Sequence, residues 1–305
     1  MDDGPFHVGE LRAQALAGVE AAGGGFGVRP FMPDQHRLFF AQLPFAIAAT
    51  VDEAGAPVAT VLAGGEGFIA SVDPQSLAIA ARSADPSGRE FVTGRPFALL
   101  GIEPHTRRRN RANGTIAWMG EEGLLVRVDQ SFGNCPQYIH RRVLELKPVT
   151  ESAFESFTGL DADARAQVQA ADTFFVATAS GSGVAKGGVD ISHRGGPGGF
   201  VQVDGDTLLI PDYRGNHYFN TLGNLLLEPR AGLLFVDLDA GRLLHLSGTA
   251  EILWDRTDLL GAERVWRFRV GGGWRGPSPI AQAAVQPPSA VSAAPVVEAP
   301  RSETR

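Results

Sequence analysis

The feature that most constrains the fold is an internal repeat. Segment 45–50 (FAIAAT) corresponds to 174–179 (FFVATA), and segment 113–115 (NGT) corresponds to 247–249 (SGT). The other pairs are 67–73 with 199–204, 76–81 with 207–212, and 95–103 with 228–237. The offset stays between 129 and 134 residues, in the same order throughout. A constant offset over five segments predicts a tandem duplication of one structural unit.

The repeated segments have the character of β-strands. They are short runs rich in Val, Ile, Leu and Phe, separated by Asp-Gly, Gly-Asp or Pro-Gly. The run VDGDTLLI at 203–210 predicts a tight hairpin. Five or six such strands in roughly 100 residues are typical of a small antiparallel barrel. The predicted fold class is therefore mainly β with a few helices, in two tandem units.

The chain divides into four predicted parts. These are an N-terminal helix and flexible link (1–30), a first barrel unit (31–150), a second barrel unit (151–270) and a disordered Pro/Ala-rich tail (271–305). The few helices are expected near 8–22, 136–146, 152–170 and 217–227.

Composition narrows the class of protein. Hydrophobic residues make up 44% of the 305 residues, which is enough for a real core. A net charge of -7 argues against nucleic-acid binding through a broad basic face. The single cysteine, Cys135, excludes an internal disulfide. An acidic start and the lack of a long apolar run predict a cytoplasmic protein without a signal peptide or membrane span.

Polar residues of the second unit concentrate in two stretches, 189–200 (VDISHRGGPGGF) and 211–224 (PDYRGNHYFNTLGN). If 217–227 is a helix, the turn Arg214-Gly215-Asn216 leads into its N-terminus, which suits a phosphate. Arg194 and Arg214 would supply charge and bidentate hydrogen bonds. Gly195, Gly196 and Gly215 would allow the backbone to approach closely, and Asn216, Asn220 and Asn224 would donate and accept hydrogen bonds.

These two stretches, with NLLLEPRAGLLFVD at 224–237, resemble the pyridoxamine 5'-phosphate oxidase-like FMN-binding split-barrel family. The resemblance is strong over about 170–255, and the run SFGNCPQYIHRR at 131–142 extends it into the first unit. It implies tandem six-stranded split β-barrels that bind FMN, with the flavin site at a dimer interface.

The resemblance also assigns the predicted cofactor-binding residues. The flavin phosphate would contact Arg194, Arg214 and Asn216, with Asn220 and Thr221 nearby. Ser192, Pro211 and Asp212 would lie along the isoalloxazine ring or ribityl chain. His193, His245 and Tyr213 are candidates to line the space over the flavin face, and Gly195 and Gly215 complete the site. No general acid or base is assigned.

The first unit departs from the family pattern. IAARSADPSG stands where the second unit has IPDYRGN, and the Ser-x-Arg strand is missing. The first unit is therefore expected to lack a flavin site and to act as the partner half, so that one chain mimics the family's dimer. Packing beside a true homodimer is the alternative.

The expected function is that of an FMN-dependent oxidoreductase with a small-molecule substrate. Alternatives are a protein that binds deazaflavin F420 or haem, and a non-catalytic flavin carrier that partners a reductase. Pyridoxamine phosphate oxidation itself is not favoured, since the second unit has no dedicated second phosphate site.

Three other motifs have simpler interpretations. GGGFG at 23–27 is not a dinucleotide fingerprint, because no strand precedes it. Cys135 with His140 is read as structural or close to the flavin rather than as a nucleophile pair. The basic run 107–111 (RRRNR) is typical of a solvated strand end, with an anion-binding role as the alternative.

Overall fold

The fold is mainly β, as predicted. The computed structural model describes residues 4–19, 27–149 and 154–283. The GGGFG run therefore lies almost wholly outside the described residues, as do 284–305 of the predicted tail. Antiparallel strands dominate the described ranges, and four α-helices accompany them.

The first half of the chain forms a seven-stranded antiparallel sheet with the strand order β2-β1-β5-β6-β7-β4-β3. Its elements are α1 (Val8–Leu16), α2 (Asp34–Ala41), β1 (Phe45–Val51), β2 (Pro57–Ala63), β3 (Ile69–Asp73), β4 (Ser76–Ile79), a 3-10 helix (Pro86–Glu90), β5 (Pro96–Glu103), β6 (Arg108–Gly120), β7 (Gly123–Gly133) and β8 (Leu144–Leu146).

The second half forms an eight-stranded sheet with the order β11-β10-β14-β15-β16-β13-β12, and β9 pairs with β16. Its elements are β9 (Glu155–Thr158), α3 (Ala162–Ala170), β10 (Thr173–Ala179), β11 (Val189–Gly195), β12 (Gln202–Asp204), β13 (Thr207–Tyr213), α4 (Asn220–Leu225), β14 (Arg230–Asp237), β15 (Arg242–Leu253), β16 (Ala262–Pro277) and β17 (Ile280–Gln282).

The two sheets follow the same path. Seven strands of each occupy corresponding positions, with β1 matching β10, β2 matching β11 and β6 matching β15. This correspondence is what a tandem duplication requires, and we retain the duplication as a proposal. Strand counts of seven and eight differ from the six strands expected for each barrel, because short hairpin strands and β9 extend the sheets.

The strands at the centre of the molecule are buried on both faces. In β1, Ala46 and Ala48 belong to the core of the first sheet, while Phe45 and Ile47 belong to a third core shared by both sheets. Strand β10 repeats the pattern, since Phe174 and Val176 pack in the second sheet's core while Phe175 and Ala177 pack in the shared core. Because side chains alternate along a strand, burial on both faces gives continuous apolar runs such as FAIAAT.

Several predicted elements need correction. The segment 136–146 is not a helix but turns and extended chain that end in β8. Of the helix expected at 152–170, only α3 forms, and β9 precedes it. The helix predicted at 8–22 ends at Leu16. The tail was expected to begin at 271, but β16 continues to Pro277 and β17 pairs with β8, because Trp274 and Ile280 are buried in the shared core.

His245 on β15 links the two halves. Its side chain is 1% exposed, stacks on the Trp274 ring at 5.3 Å, and accepts a hydrogen bond at Nε2 from the Ala59 backbone N–H of β2 at 3.3 Å. Burial lowers the pKa of His245 from 6.5 to about 4. His245 is therefore neutral in the folded protein, and it does not line the candidate site described below.

Burial of neutral His245 predicts acid sensitivity. Between pH 6.5 and about 4 the unfolded chain binds a proton that the folded chain does not, so stability falls as the pH falls through this window. The shift corresponds to a loss of about 3 kcal/mol by pH 4. We expect His245→Gln, which keeps an acceptor for Ala59, to lower the slope of unfolding free energy against pH by about 1.4 kcal/mol per pH unit in this window.

Denaturant unfolding at a series of pH values measures that slope. The matched control is His105→Gln, because His105 is exposed, and this variant is expected to keep the wild-type slope. An unchanged slope in His245→Gln would show that His245 does not control acid unfolding.

Candidate functional site

The site begins on β11, an end strand of the second sheet. Its predicted residues Ser192 and His193 are buried and Arg194 is half-buried, although their side chains alternate in direction. The strand is covered because β11 packs against β5 and β6 of the first half and against α4 of its own half. The predicted Ser-x-Arg strand thus forms one wall of a cleft between the two halves.

Strand β6 forms the opposite wall and contributes Arg109 and Arg111. They are two residues apart, so both side chains lie on the same face of the strand. Arg111 is 6% exposed; its Nη2 donates to Ser192 Oγ at 2.8 Å, and its Nη1 donates to Asn220 Oδ1 at 3.3 Å. Its Nη1 also lies 3.6 Å from Asp190 Oδ1. Arg111 therefore joins the first half to two elements of the second.

The contact between Arg109 and His193 determines the protonation of the imidazole. Arg109 Nη1 lies 2.9 Å from His193 Nδ1. Burial, followed by the charge of Arg109, holds the pKa of His193 well below its ordinary value of 6.5. Since a guanidinium can only donate, Nδ1 is the acceptor and the neutral ring carries its proton on Nε2. Burial and Arg111 lower the pKa of Arg109 to about 9, so Arg109 stays cationic at neutral pH.

Strand β13 brings in Pro211, Asp212 and Tyr213. The buried carboxylate of Asp212 lies between two arginines, accepting from Arg194 Nη1 at 2.6 Å and from Arg264 Nη1 at 2.8 Å. Arg264 in turn lies over the Phe219 ring at 5.0 Å. This ion-paired set holds the Arg194 side chain in the wall of the cleft.

The segment after β13 differs from the prediction. Helix α4 begins at Asn220, so Arg214-Gly215-Asn216 lies before the helix in an exposed loop and is not its N-terminal turn. His217 and Phe219 adopt positive φ angles of 61° and 60°, which reverse the chain and delay the helix. Asn220 and Thr221 are buried, and Thr221 Oγ1 lies 3.0 Å from Ser192 Oγ.

A tyrosine pair closes one edge of the cleft. The rings of Tyr138 and Tyr213 stack with centroids 5.2 Å apart, and Tyr138 donates from its hydroxyl to the Arg214 carbonyl at 3.1 Å. Gly195 is required here, because a Cβ at this position would lie 2.1 Å from the Tyr138 carbonyl oxygen. The run 131–142 noted in the sequence thus contributes to the site from the first half.

A cavity of about 110 Å³, open to solvent, lies between these walls. Eleven of the twelve predicted cofactor-binding residues line it: Ser192, His193, Arg194, Gly195, Pro211, Asp212, Tyr213, Gly215, Asn216, Asn220 and Thr221. The exception is Arg214, which is exposed and is not among the lining residues. Cys135 also lines the cavity, beside Arg109.

The residues that line the cavity carry more positive than negative charge. Four arginines line it (Arg109, Arg111, Arg194 and Arg264) against two carboxylates (Asp212 and Glu263). The Nε–H groups of Arg109, Arg111 and Arg194 are buried without an acceptor. Buried donors normally find acceptors, so these groups fit a ligand rich in anionic oxygens such as a phosphate. The residues therefore suit the phosphate of FMN.

Sequence reasoning missed the contribution of β6. The run 107–111 is typical of a solvated strand end, with anion binding as the alternative, and Arg109 and Arg111 of this run line the cavity. Their spacing of two residues within a predicted strand was an available signal. No pattern indicated that this face meets β11, because the two segments are about 80 residues apart in sequence and only the packing of the two sheets joins them.

A buried polar network lies behind the cleft, and sequence analysis did not predict it. Glu10 of α1, which is 3% exposed, accepts from Asn220 Nδ2 and from the His7 backbone N–H. Asp190 accepts from Asn113 Nδ2 at 2.7 Å and from Asn224 Nδ2 at 3.2 Å. Burial, followed by the charge of Asp190, raises the pKa of Glu10 to about 8. The N-terminal helix is therefore part of the support of the site.

The comparisons with known proteins identify the family. Residues 160–291 match the sequence profile of the family described as pyridoxamine 5'-phosphate oxidase. This match covers a little under half of the chain and confirms, for the second half, the resemblance to the pyridoxamine 5'-phosphate oxidase-like family found in the sequence. No curated protein matches the chain significantly.

Solved structures show a weaker likeness. A HupZ structure from Group A Streptococcus is 19% identical and a putative pyridoxamine 5'-phosphate oxidase from Lactobacillus delbrueckii is 15% identical, with TM-scores of 0.29 and 0.28. Both matches cover 38% of this chain, and 94% and 98% of the respective neighbours. The heme storage protein HutZ from Vibrio cholerae is 14% identical over 37% of this chain and 89% of its own, with a TM-score of 0.25. Structural similarity this low does not indicate which cofactor the protein binds or which reaction it catalyses.

Two further observations concern the described ranges alone. No cluster of three or more His, Cys, Asp or Glu side chains there is arranged to hold a metal ion. None of the helices in these ranges has the length and apolar character needed to cross a bilayer.

Proposed function

We propose that the cleft between the two halves binds FMN and that the protein is an FMN-dependent oxidoreductase of a small-molecule substrate. The observation that carries the proposal is the set of three buried arginine Nε–H groups without acceptors in a cavity where arginines outnumber carboxylates by two. Asp190, which does not line the cavity, lies 3.6 Å from Arg111 and offsets one of these charges, and the positive charge that remains in excess is matched by a phosphate anion.

Different residues would contact different parts of the cofactor. Arg109, Arg111 and Arg194 supply the unsatisfied donors for phosphate oxygens. Asp212 holds Arg194 in place, and the exposed Gly215 and Asn216 at the cavity rim leave the backbone accessible to the ligand. Bound FMN would supply two-electron redox chemistry, while the protein orients it and excludes water. The stacked tyrosines 138 and 213 offer a flat surface beside the cavity for an aromatic ring or a planar substrate.

A single chain is proposed to supply both halves of one site. Phe45 pairs with Ala63 in the first sheet where Phe174 pairs with Arg194 in the second, so Ala63 stands at the position of Arg194. Val61 likewise stands at the position of Ser192. The matching cleft on the other side of the interface thus lacks these polar groups, which supports one flavin per chain and no need for a homodimer to complete the site.

Arg194→Gln tests the assignment of the phosphate site. Loss of a charged hydrogen-bond donor is worth about 1.5–3 kcal/mol, so we expect FMN affinity to fall roughly 10- to 150-fold. The fold is expected to survive, because Asp212 keeps its ion pair with Arg264. The double variant Arg214→Ala with Asn216→Ala probes the exposed loop in the same assay. Fluorescence titration of the apoprotein with FMN measures affinity and stoichiometry together.

Arg127→Gln is the matched control, since Arg127 is exposed and remote from the cleft. The wild-type protein is expected to bind one FMN per chain, with light scattering giving the mass of the complex. Unchanged affinity in Arg194→Gln would contradict the phosphate site. A Soret band in the purified protein would identify haem as the cofactor instead of FMN. A released cofactor with the mass of F420 would identify F420.

A further inference from the structure

A second cavity lies on the opposite side of the buried polar network. It measures about 700 Å³ and is lined by the N-terminal segment, by β6 and β7, and by the loop that leads into β11. Its polar floor consists of His7, Glu10, Asn113 and Asp190, all at most 7% exposed. None of these four residues lines the proposed flavin cavity.

Two buried polar atoms of this floor have no partner in the protein. Asn113 donates its amide to Asp190, which leaves Asn113 Oδ1 as an acceptor without a donor. His7 Nδ1 accepts from the Gly9 backbone N–H, so the neutral ring carries its proton on Nε2, which lies 3.6 Å from Glu10 Oε2 and makes no hydrogen bond. Buried polar atoms of this kind are rare in proteins, because leaving them unpaired costs about 1–3 kcal/mol each.

The charges of the floor do not balance. Glu10 and Asp190 are two carboxyl groups, and Arg111 is the guanidinium closest to Asp190, at 3.6 Å. The second carboxyl group must therefore carry a proton or face another cation. His7, the remaining candidate, has a pKa lowered by burial and stays neutral at pH 7. Glu10, with its pKa raised to about 8, is the group that keeps the proton when the cavity holds no cation.

We propose that this second cavity binds a small molecule through a primary ammonium group, which contacts Glu10, Asp190 and Asn113 Oδ1. An ammonium group has three donors and no acceptor, which matches a floor that offers carboxylate and amide oxygens. The rim of the cavity carries both positive and negative side chains, namely Arg29, Lys186 and Asp129. The preference for a cationic ligand therefore comes from the carboxyl groups of the floor. This site is separate from the flavin cleft and does not depend on the proposed flavin.

Binding of an ammonium ion should displace the proton of Glu10. The charged and titratable groups facing Glu10 are His7 at the N-cap of α1, Arg111 on β6 and Asp190 on β11, with Asn220 of α4 as a neutral partner. Of these, Glu10 is the group expected to change protonation near neutral pH. Affinity for the ammonium ion should therefore rise between pH 6 and pH 9 and then level off.

The experiment is isothermal titration of the full-length protein with n-butylammonium chloride at pH 7, in two buffers of different ionisation enthalpy. We expect saturable binding of one ion per chain with release of up to one proton. n-Butanol and sodium butyrate are the neutral and anionic matched probes, and each is expected to bind at least tenfold more weakly. Glu10→Gln should weaken n-butylammonium binding at least tenfold and abolish proton release, while Asp73→Asn, a change at an exposed carboxylate, should alter neither.

Wild-type measurements alone can overturn the proposal. Equal binding of n-butanol and n-butylammonium, the absence of saturable binding, or an affinity that does not change between pH 6 and pH 9 would each exclude an ammonium site on this floor. These outcomes hold even if Glu10→Gln fails to fold, because the comparison of probes and the pH series use the unmodified protein.

Discussion

Arg111→Met is expected to destabilise the protein by about 3–5 kcal/mol, because it leaves the buried Asp190 without its guanidinium partner. The same change removes the donors to Ser192 and Asn220, which hold β11 and α4 against β6. Since Arg111 also lines the proposed phosphate site, FMN affinity should fall together with stability. Denaturant unfolding, followed by flavin titration of the folded fraction, measures both effects.

A second substitution, at Asp190, separates two causes of the expected loss of stability: the unpaired buried carboxylate and the hydrogen bonds that Arg111 no longer makes. In Arg111→Met with Asp190→Asn, no buried carboxylate remains unpaired at this position, and the side chain at 190 can still accept from Asn113. This double variant should recover at least half of the lost stability without recovering flavin affinity. Arg127→Met is the control and is expected to change stability by no more than about 0.5 kcal/mol, because Arg127 is exposed. If Arg111→Met were as stable as the control, Arg111 would not hold the two halves together.

Gly223→Ala is expected to release the N-terminal helix. Gly223 lies in α4 directly against α1, and an added Cβ would be 2.6 Å from both the Glu10 Cα and the Glu10 backbone nitrogen. Alanine favours a helix by about 1 kcal/mol over glycine, whereas forcing a methyl group into packed backbone costs about 1–3 kcal/mol. Because the opposing atoms are backbone, the helices must separate, and the Glu10 contact with Asn220 is lost.

Two readouts test this prediction. Thermal unfolding should show a lower midpoint, and trypsin should cleave faster after Arg12, which is exposed on α1 and becomes accessible once the helix detaches. Gly271→Ala is the matched control, since its nearest contact would be Ser247 O at an ordinary 3.5 Å. Unchanged cleavage in Gly223→Ala would mean that α1 is not held by this contact.

Local sequence patterns predicted most of the strands correctly. Short runs rich in Val, Ile, Leu and Phe between turn residues placed β1, β10, β13 and β14 close to their observed bounds, and the two-residue turn at Gly205 and Asp206 forms the predicted hairpin. The failures fall where local preference is weak. The segment 136–146 contains good helix-forming residues, but Ile139 packs in the shared core and β8 pairs with β17 instead. Tertiary contacts with distant parts of the chain outweighed a small intrinsic preference.

The candidate site was predictable in one half only. The motifs around Arg194 and Asp212 mark the second-half wall, because their residue types and glycines are unusual within strands. Arg109 and Arg111 of the opposite wall appear in the sequence as an ordinary basic run, and Glu10 appears as one acidic residue on a short helix. Their roles arise from burial, which changes the pKa of Glu10 and Arg109, and no local pattern encodes that burial.

The amino-acid sequence by itself determined the mainly β class and the family motif of the second unit, and it predicts the repeat of two similar units, since these follow from periodicity, spacing and residue type over short segments. The tertiary structure alone decided which face of each unit meets the other. That packing brings β6 against β11, encloses four arginines around one cleft, and creates a second polar cavity behind them. The reason is physical: unmatched charges and unpaired hydrogen-bonding groups arise only when distant segments exclude water together.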